Sequence, residues 1–294
     1  IVLIITLYLA AALIAFWPFR IWVDVFYPVF TVIGVYIVFT MKKYVTEMHK
    51  REILEKELDI AKNIQQSFLP SEIPSVGGLD INVKMLTARQ VGGDLYDILQ
   101  LDENRLAVML GDVSGKGVPA ALFMARVVSV FKTYAGKGTG AAEVLAKVNE
   151  RLVAESGSGL FVTLTYKIFD VRAGTVSFAI GGHMPTLLIT PGGKVEFLDT
   201  EEGLPIGMIE SGFSEKNMEY EPGSIFVLYT DGVTEAMNAR GEMFGKDRLE
   251  SLAKKLNGMP AREVVDAIHK AVSDFAGKAK QYDDITVMAV KVKG

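Results

Sequence analysis

Two long apolar runs without a charged residue open the chain, and they constrain its architecture more than any other feature. They are "IVLIITLYLAAALIAFW" (1–17) and "VFYPVFTVIGVYIVFTM" (25–41). Each is just under the roughly 20 residues that cross a hydrocarbon core, and within the usual range. Because a short segment, 18–24, separates them, we expect two transmembrane helices within residues 1–43 that form a hairpin.

Positive charge at the end of the second run predicts how this hairpin is oriented. Lys42 and Lys43 follow the run at once, and cytoplasmic loops carry an excess of Lys and Arg. The pattern predicts an inner-membrane protein with everything after residue 43 in the cytoplasm. Trp17 suits an interface, and Arg20 is a weak counter-signal on the other side. Since residue 1 is not methionine, we expect a fragment or processed form, the C-terminal part of a membrane sensor region.

Residues 44–70 have the composition of a helical signalling linker. They are polar and contain no Gly or Pro before Pro70. One helical stripe of apolar residues, interrupted by Gln65, is typical of a short coiled coil and predicts a homodimer. The stripe consists of Leu54, Leu58, Ala61 and Phe68. The alternative is a solvated helix that pairs with nothing.

The remainder, 71–294, alternates between β-like and helix-like segments. The β-like runs are 80–88, 105–113, 161–170, 175–181, 224–231 and 284–292. The helix-like stretches are 118–135, 140–155, 246–256 and 260–276. The strands come in hairpin-like groups and the helices in pairs, which favours an α+β fold with antiparallel sheets over regular βαβ alternation.

Charge and composition exclude several classes of function. The formal net charge is −4 and no basic block stands out, so we expect no nucleic-acid partner. The chain has no cysteine, which excludes disulfides, thiolate zinc sites and a cysteine nucleophile. The glycine-rich stretch "GDVSGKGVPAAL" (111–122) is not a P-loop. Only three residues separate Gly111 from Gly115 where a P-loop has four, and the Ser or Thr after its lysine is missing.

Aspartates at the ends of strand-like runs point to a metal site instead. They are Asp94 in "GGDLYD", Asp112 in "GDVSGKG", Asp231 in "YTDGVTEA", and Asp283 with Asp284 in "YDDITV". A carboxylate beside a buried strand is costly to desolvate unless it is paired or bound to a metal. No Arg or Lys stands beside them with which to pair, and oxygen ligands select magnesium or manganese. Each aspartate alone is explained as a turn or cap residue, but four such sites favour convergence on cations.

Seven motifs in order resemble the metal-dependent serine/threonine phosphatases of the PPM (type 2C) superfamily, in particular its bacterial SpoIIE/RsbU-like branch. The resemblance covers about residues 60–292. Its motifs are "AKNIQQSFLP", "GGDLYD", "GDVSGKGVPAAL", "GGHMP", "LPIGM", "YTDGVTEA" with "GEMFG", and "DDITV". It implies that 71–294 is a phosphatase domain, a four-layer αββα sandwich of two antiparallel sheets flanked by helix pairs.

The resemblance also implies a centre of two Mn²⁺ or Mg²⁺ ions. Asp112 would bridge both ions together with the carbonyl of Val113, and Asp94 would bind the second. Asp231 and either Asp283 or Asp284 would bind the first. Asp112 and Asp231 would then be catalytic through metal-bound water, which attacks the phosphorus in line.

Two further residues are candidates for contact with the substrate. Lys116 has the charge to neutralise a phosphate, although an exposed loop lysine is the alternative. His183 in "GGHMP" is a candidate proton donor, although a histidine that holds its turn is the favoured explanation. The branch implies that the substrate is a phosphoserine or phosphothreonine of a STAS-type anti-sigma-factor antagonist, under control of the membrane sensor.

Two other functions compete with the phosphatase. A GGDEF-like nucleotide cyclase is suggested by the start of "GGDLYD", but Leu95 stands where that motif has an acidic residue, and the other aspartates stay unexplained. An inactive membrane-tethered scaffold is the non-enzymatic alternative, and the retention of all four acidic sites argues against it.

Overall fold

The computed structural model describes residues 2–16, 22–136, 138–154, 159–201 and 203–294. Trp17 and Arg20, which the sequence assigns to the connection of the hairpin, lie outside these ranges. The chain divides into two compact units, Ile1–Leu58 and Asp59–Gly294.

The described part of the first unit is helical, and it is apolar as far as Met41 apart from Asp24. Helix α1 spans Val2–Phe16, and a π-helical turn at Trp22–Phe26 leads into helix α2, Tyr27–Phe68, which continues beyond this unit. Among the described residues, one helical stretch, Val23–Phe68, is long and apolar enough to cross a membrane, and its apolar window is not buried. The described residues of both apolar runs are therefore helical as predicted, and their insertion as a hairpin stays a prediction.

The second unit contains two five-stranded antiparallel sheets. One sheet has the order β1-β10-β9-β6-β7 and the other β2-β3-β4-β5-β8. The strands are β1 Leu79–Leu86, β2 Asp94–Gln100, β3 Arg105–Val113, β4 Val162–Asp170, β5 Thr175–Gly181, β6 Thr186–Ile189, β7 Val195–Leu198, β8 Lys216–Glu219, β9 Ile225–Tyr229 and β10 Ile285–Val292.

A pair of helices covers the outer face of each sheet. Helices α3 (Val118–Tyr134) and α4 (Ala141–Ala154) pack on the β2–β8 sheet. Helix α5 is a short turn at Asp231–Thr234. Helices α6 (Gly245–Ala253) and α7 (Ala261–Ala276) pack on the sheet that contains β9 and β10. The four-layer αββα sandwich is thus confirmed.

Alternation along the strands divides the interior into three apolar layers. In β3, Ala107 and Met109 face the helices, whereas Val108 and Leu110 face the opposite sheet, because successive side chains of a strand point to opposite faces. The apolar layer between helices α3 and α4 and their sheet, here called the helix layer, includes Phe131. Its ring packs edge to face against that of Tyr166, with 5.0 Å between the centroids. The rigid sandwich that results fixes the strand ends.

Four strands were not predicted from the sequence. Strands β6, β7 and β8 have only four residues each, too few for a recognisable alternation. Strand β2 contains two buried aspartates, Asp94 and Asp97, which conceal its β character. The structure also changes the interpretation of the linker stripe, because Phe68 packs against the core of the second unit.

We predict that Phe131→Ala lowers the free energy of unfolding by about 3–5 kcal/mol, because it leaves a cavity beside Tyr166 in the helix layer. Leu122→Ala on the same helix is the control: its side chain is 68% exposed, so its effect stays within about 0.5 kcal/mol. Urea denaturation of the 294-residue chain in detergent measures both. Equal effects of the two variants would contradict this packing.

Candidate metal centre

Asp94 and Asp112 face each other on adjacent strands. The antiparallel register of β2 and β3 pairs Asp94 with Asp112 at the ends of both strands. Most of β3 is buried and apolar, so packing of this strand fixes the position of its penultimate residue, Asp112, at the edge of the sheet. Two carboxylates predicted as ligands are therefore brought together by strand pairing alone.

The other sheet brings its own aspartates to the same edge. Strand β9 ends at Tyr229 and β10 begins at Ile285, and their antiparallel pairing matches Tyr229 with Val287. The residues just beyond these ends, Asp231 and Asp283, are consequently neighbours. Both also lie close enough to Asp112 to act on its charge.

The electrostatics of this edge show a surplus of negative charge. Burial and, after it, the carboxylates of Asp231, Asp283 and Asp284 together raise the pKa of Asp112 to about 8. Burial, and then the charge of Asp112, raise the pKa of Asp94 well above its usual range. The pKa of Asp231 is raised by burial, then by Glu235 and Asp283. Carboxylates arranged in this way favour the arrival of cations.

Asp94 also connects the two sheets. Its Oδ2 accepts a hydrogen bond at 2.9 Å from Oγ1 of Thr230, which directly follows β9, and a short one from Oγ1 of Thr286 in β10 of the opposite sheet. Sequence reasoning missed both threonines, although each stands within a quoted motif, beside Asp231 or two residues after Asp284. A hydroxyl next to a candidate ligand was the available signal.

Asp283 and Asp284 have different surroundings. The carboxylate of Asp284 is buried and accepts hydrogen bonds from the backbone N–H of Ala88 at 2.8 Å and of Gly93 at 2.7 Å. Asp283 is more exposed, and its Oδ2 lies 2.7 Å from Lys116 Nζ. The expectation that no Arg or Lys stands beside these aspartates is therefore wrong. Lys116 belongs to a different motif, far from Asp283 in the sequence, but the fold brings it into contact with this carboxylate.

His183 lies inside the fold. Its side chain is only 7% exposed, and its Nδ1 lies 2.9 Å from Thr163 Oγ1. Burial lowers the pKa of His183 to about 3, so the ring is neutral. This placement does not support contact with substrate. Thr163 lies on β4 and is the register partner of Asp112, so His183 contacts the strand next to the one that carries Asp112.

A residue of the linker helix also reaches the centre. Gln65, which the sequence suggested only as an interruption of the apolar stripe, is buried. Its Nε2 donates to the carbonyl of Gly92 at 2.7 Å, and the Gly92 N–H donates to its Oε1 at 3.1 Å. These two bonds fix the backbone two residues before Asp94.

The residues at this edge fit divalent ions with oxygen ligands. A Cβ at Gly93 would lie 2.8 Å from the carbonyl oxygen of Val113 and 3.1 Å from Asp112 Oδ1, so glycine keeps the approach to those oxygens open. Within the described residues, no three acidic or histidine side chains stand in a ready-made cage. The carboxylates of Asp94 and Asp283 are instead held on protein donors, namely two threonine hydroxyls and Lys116.

Two curated relatives are similar over most of the chain. Phosphoserine phosphatase RsbU of Bacillus subtilis is 27% identical over 277 residues, which are 92% of this chain and 81% of the relative. Protein IcfG of Synechocystis is 29% identical over 285 residues, 87% of this chain, but the match spans only 44% of IcfG.

Solved structures share the fold. The SiaA-PP2C domain of Pseudomonas aeruginosa has a TM-score of 0.75 and 21% identity, and the match covers 83% of this chain and 98% of that domain. The catalytic domain of the serine/threonine phosphatase PstP in complex with two manganese ions has a TM-score of 0.52 and 15% identity, covering 74% of this chain and all of that domain.

The sequence profile of the Stage II sporulation protein E (SpoIIE) family matches residues 102–293, which is more than half of the chain. This span runs from the β2–β3 turn to the end of β10 and includes Asp112, Asp231 and Asp283. The chain belongs to the SpoIIE family, and its sandwich has the PP2C-type phosphatase fold.

Proposed function

We propose that this protein is a metal-dependent protein serine/threonine phosphatase that hydrolyses phosphoserine or phosphothreonine on a partner protein. One observation carries the proposal. Strand ends from both sheets of a PP2C-type fold bring Asp94, Asp112, Asp231 and Asp283 to one edge of the sandwich. The name of the relative RsbU, phosphoserine phosphatase, supports the same reaction class.

The proposed ligands of two Mn²⁺ or Mg²⁺ ions are Asp94, Asp112, Asp231, Asp283 and the carbonyl of Val113. When bound, such ions lower the pKa of a water molecule and offset the charge of phosphoryl oxygens. Contacts within the chain position the proposed ligands. Strand pairing fixes Asp94 opposite Asp112, and Thr230 and Thr286 hold the carboxylate of Asp94 in one orientation.

Between the two adjacent aspartates, the contacts favour Asp283 as the ligand. Its single ion pair with Lys116 is partly open to solvent and can be exchanged for a metal ion. Asp284 is committed to the amides of Ala88 and Gly93, so its role is to shape the loop that leads to Asp94.

The nucleotide cyclase is a weaker candidate on geometric grounds. The Gly92–Gly93 backbone is bonded to Gln65 and Asp284, which leaves it no freedom to cradle a nucleotide. Moreover, a cyclase does not explain Asp231 and Asp283. Manganese-dependent phosphate release from a phosphoserine protein, compared with cyclic-dinucleotide formation from GTP, distinguishes the phosphatase, the cyclase and the inactive scaffold.

We further propose that the catalytic unit is tethered to the inner membrane and faces the cytoplasm. The long apolar helix supports this, together with Lys42 and Lys43, which directly follow its apolar run. The apolar stripe of the linker helix motivates a homodimer, the N-terminal apolar runs motivate control by a membrane sensor, and the family resemblance motivates a STAS-type antagonist as substrate. They remain part of the proposal.

Removing ligand charge tests the catalytic assignment. Asp112→Asn and Asp231→Asn should each lower manganese-dependent turnover of a phosphoserine STAS protein by about 100-fold or more, because each removes a carboxylate from the metal centre. Asp274→Asn is the control, since its carboxylate pairs with Lys270 on the exposed face of α7. Near-normal turnover by either of the first two variants at low manganese would contradict the assignment.

The neighbouring aspartates should respond in opposite ways. Asp283→Asn should weaken Mn²⁺ binding by about tenfold or more and change the unfolding free energy of the metal-free chain by less than about 1 kcal/mol. Asp284→Ala should lower that free energy by about 1–3 kcal/mol, because two backbone amides lose their acceptor. Calorimetric titration and urea denaturation measure the two effects. The reverse pattern would assign the metal to Asp284.

Membrane topology can be mapped directly because the chain contains no cysteine. In intact cells, an impermeant maleimide should label Pro18→Cys from outside, whereas Ser71→Cys should be labelled only after permeabilisation. Labelling of Ser71→Cys in intact cells would place the catalytic unit outside and overturn the proposed orientation.

A further inference from the structure

Lys116 is held over the carboxylate edge by three contacts at once. Its Nζ lies 2.7 Å from Asp283 Oδ2 and donates a hydrogen bond to the carbonyl of Tyr282 at 2.9 Å. It also lies 3.7 Å from the centroid of the Tyr282 ring. A lysine with three partners is not a freely solvated loop residue.

The loop that carries Lys116 is built to place it there. Gly115 and Gly117 on either side have φ values of 88° and 80°, which L side chains rarely adopt. The lysine therefore sits at the tip of a tight turn that starts just after Asp112. Among the ion pairs in the described part of the chain, the one that reaches this aspartate cluster is Lys116 with Asp283.

The ion pair between Lys116 and Asp283 is partly exposed to solvent. The side chains of Lys116 and Asp283 are 28% and 30% exposed, so the pair can open without unfolding the sandwich. A pair of this kind contributes little stability, about 1 kcal/mol or less. The pair does place a positive charge within the aspartate cluster, 2.7 Å from Asp283 Oδ2.

We propose that Lys116 is the displaceable counter-ion of the metal-free centre. Its ammonium occupies Asp283 until a divalent ion takes that oxygen, and it thereby sets the metal concentration at which the centre fills. This inference rests on the proposed metal centre and adds a role for Lys116 distinct from contact with substrate phosphate.

Two physical effects predict that Lys116 weakens the binding of a divalent ion. Asp283 Oδ2 cannot pair with Lys116 and bind a metal ion in the same position, so the ion must first break the pair. After displacement, the short glycine turn still keeps the positive charge near the centre, where it repels a divalent ion. Both effects weaken metal binding, so removing the charge strengthens it.

The test is Mn²⁺ titration of the 294-residue chain in detergent at pH 8, where protons compete less for the carboxylates. Lys116→Met should lower the Kd for manganese by about tenfold. Lys116→Arg keeps the charge, so its Kd should stay closer to that of the unmodified chain. Lys147→Met removes an ammonium that pairs with Glu143 on α4 and should leave the Kd unchanged.

A thermal melt separates this role from a purely structural one. Without metal, Lys116→Met should lower Tm by about 2–4 °C, and saturating manganese should abolish or reverse the difference. Unchanged or weaker manganese binding by Lys116→Met, or an equal loss of Tm with and without metal, overturns the proposal. Failure of the unmodified chain to bind manganese would instead refute the metal centre itself.

Discussion

Asp94 is held by both sheets of the sandwich at once, and the candidate site depends on this arrangement. Strand pairing sets Asp94 opposite Asp112 within one sheet, while Thr230, which directly follows β9, and Thr286 in β10 of the other sheet donate to its carboxylate. A buried carboxylate is tolerated only with such partners or with a cation. The two sheets therefore cannot shift at this edge without breaking these bonds.

The loops around this edge are fixed from several directions. Asp284 binds the amides of Ala88 and Gly93, and Gln65 binds both polar groups of Gly92. The segment that leads into Asp94 is thus connected to the last strand and to the end of the linker helix. Lys116 places a positive charge beside Asp283, and the proposed exchange of this ammonium for a metal ion would connect the fold with the proposed activity.

The sequence predicted the helices that cover the sheets and, except for β2, the described strands of five or more residues, because each of these elements has a clear pattern and a clear end. It also identified every aspartate of the cluster, since an acidic residue beside a buried strand is conspicuous. It did not separate Asp283 from Asp284 or find Lys116 at the cluster. Those distinctions depend on which backbone amides and side chains the folded loops bring near, over separations such as the 196 residues between Ala88 and Asp284.

Short strands and linker contacts were missed for related reasons. Strands β6, β7 and β8 gain their stability from neighbours in the sheet, not from their own four residues. Gln65 reads as a flaw in an apolar stripe because its partner, Gly92, lies 27 residues away. Local patterns thus indicate which elements form, whereas the polar contacts of the site appear only in the fold.

Anomalous diffraction from crystals grown with manganese would locate the metal ions of the proposed centre. We expect two manganese peaks about 3.5–4 Å apart beside Asp112, the spacing of two-metal sites. We also expect Lys116 to have left Asp283 in those crystals. The absence of bound manganese, or manganese bound only away from Asp94, Asp112, Asp231 and Asp283, would contradict the account.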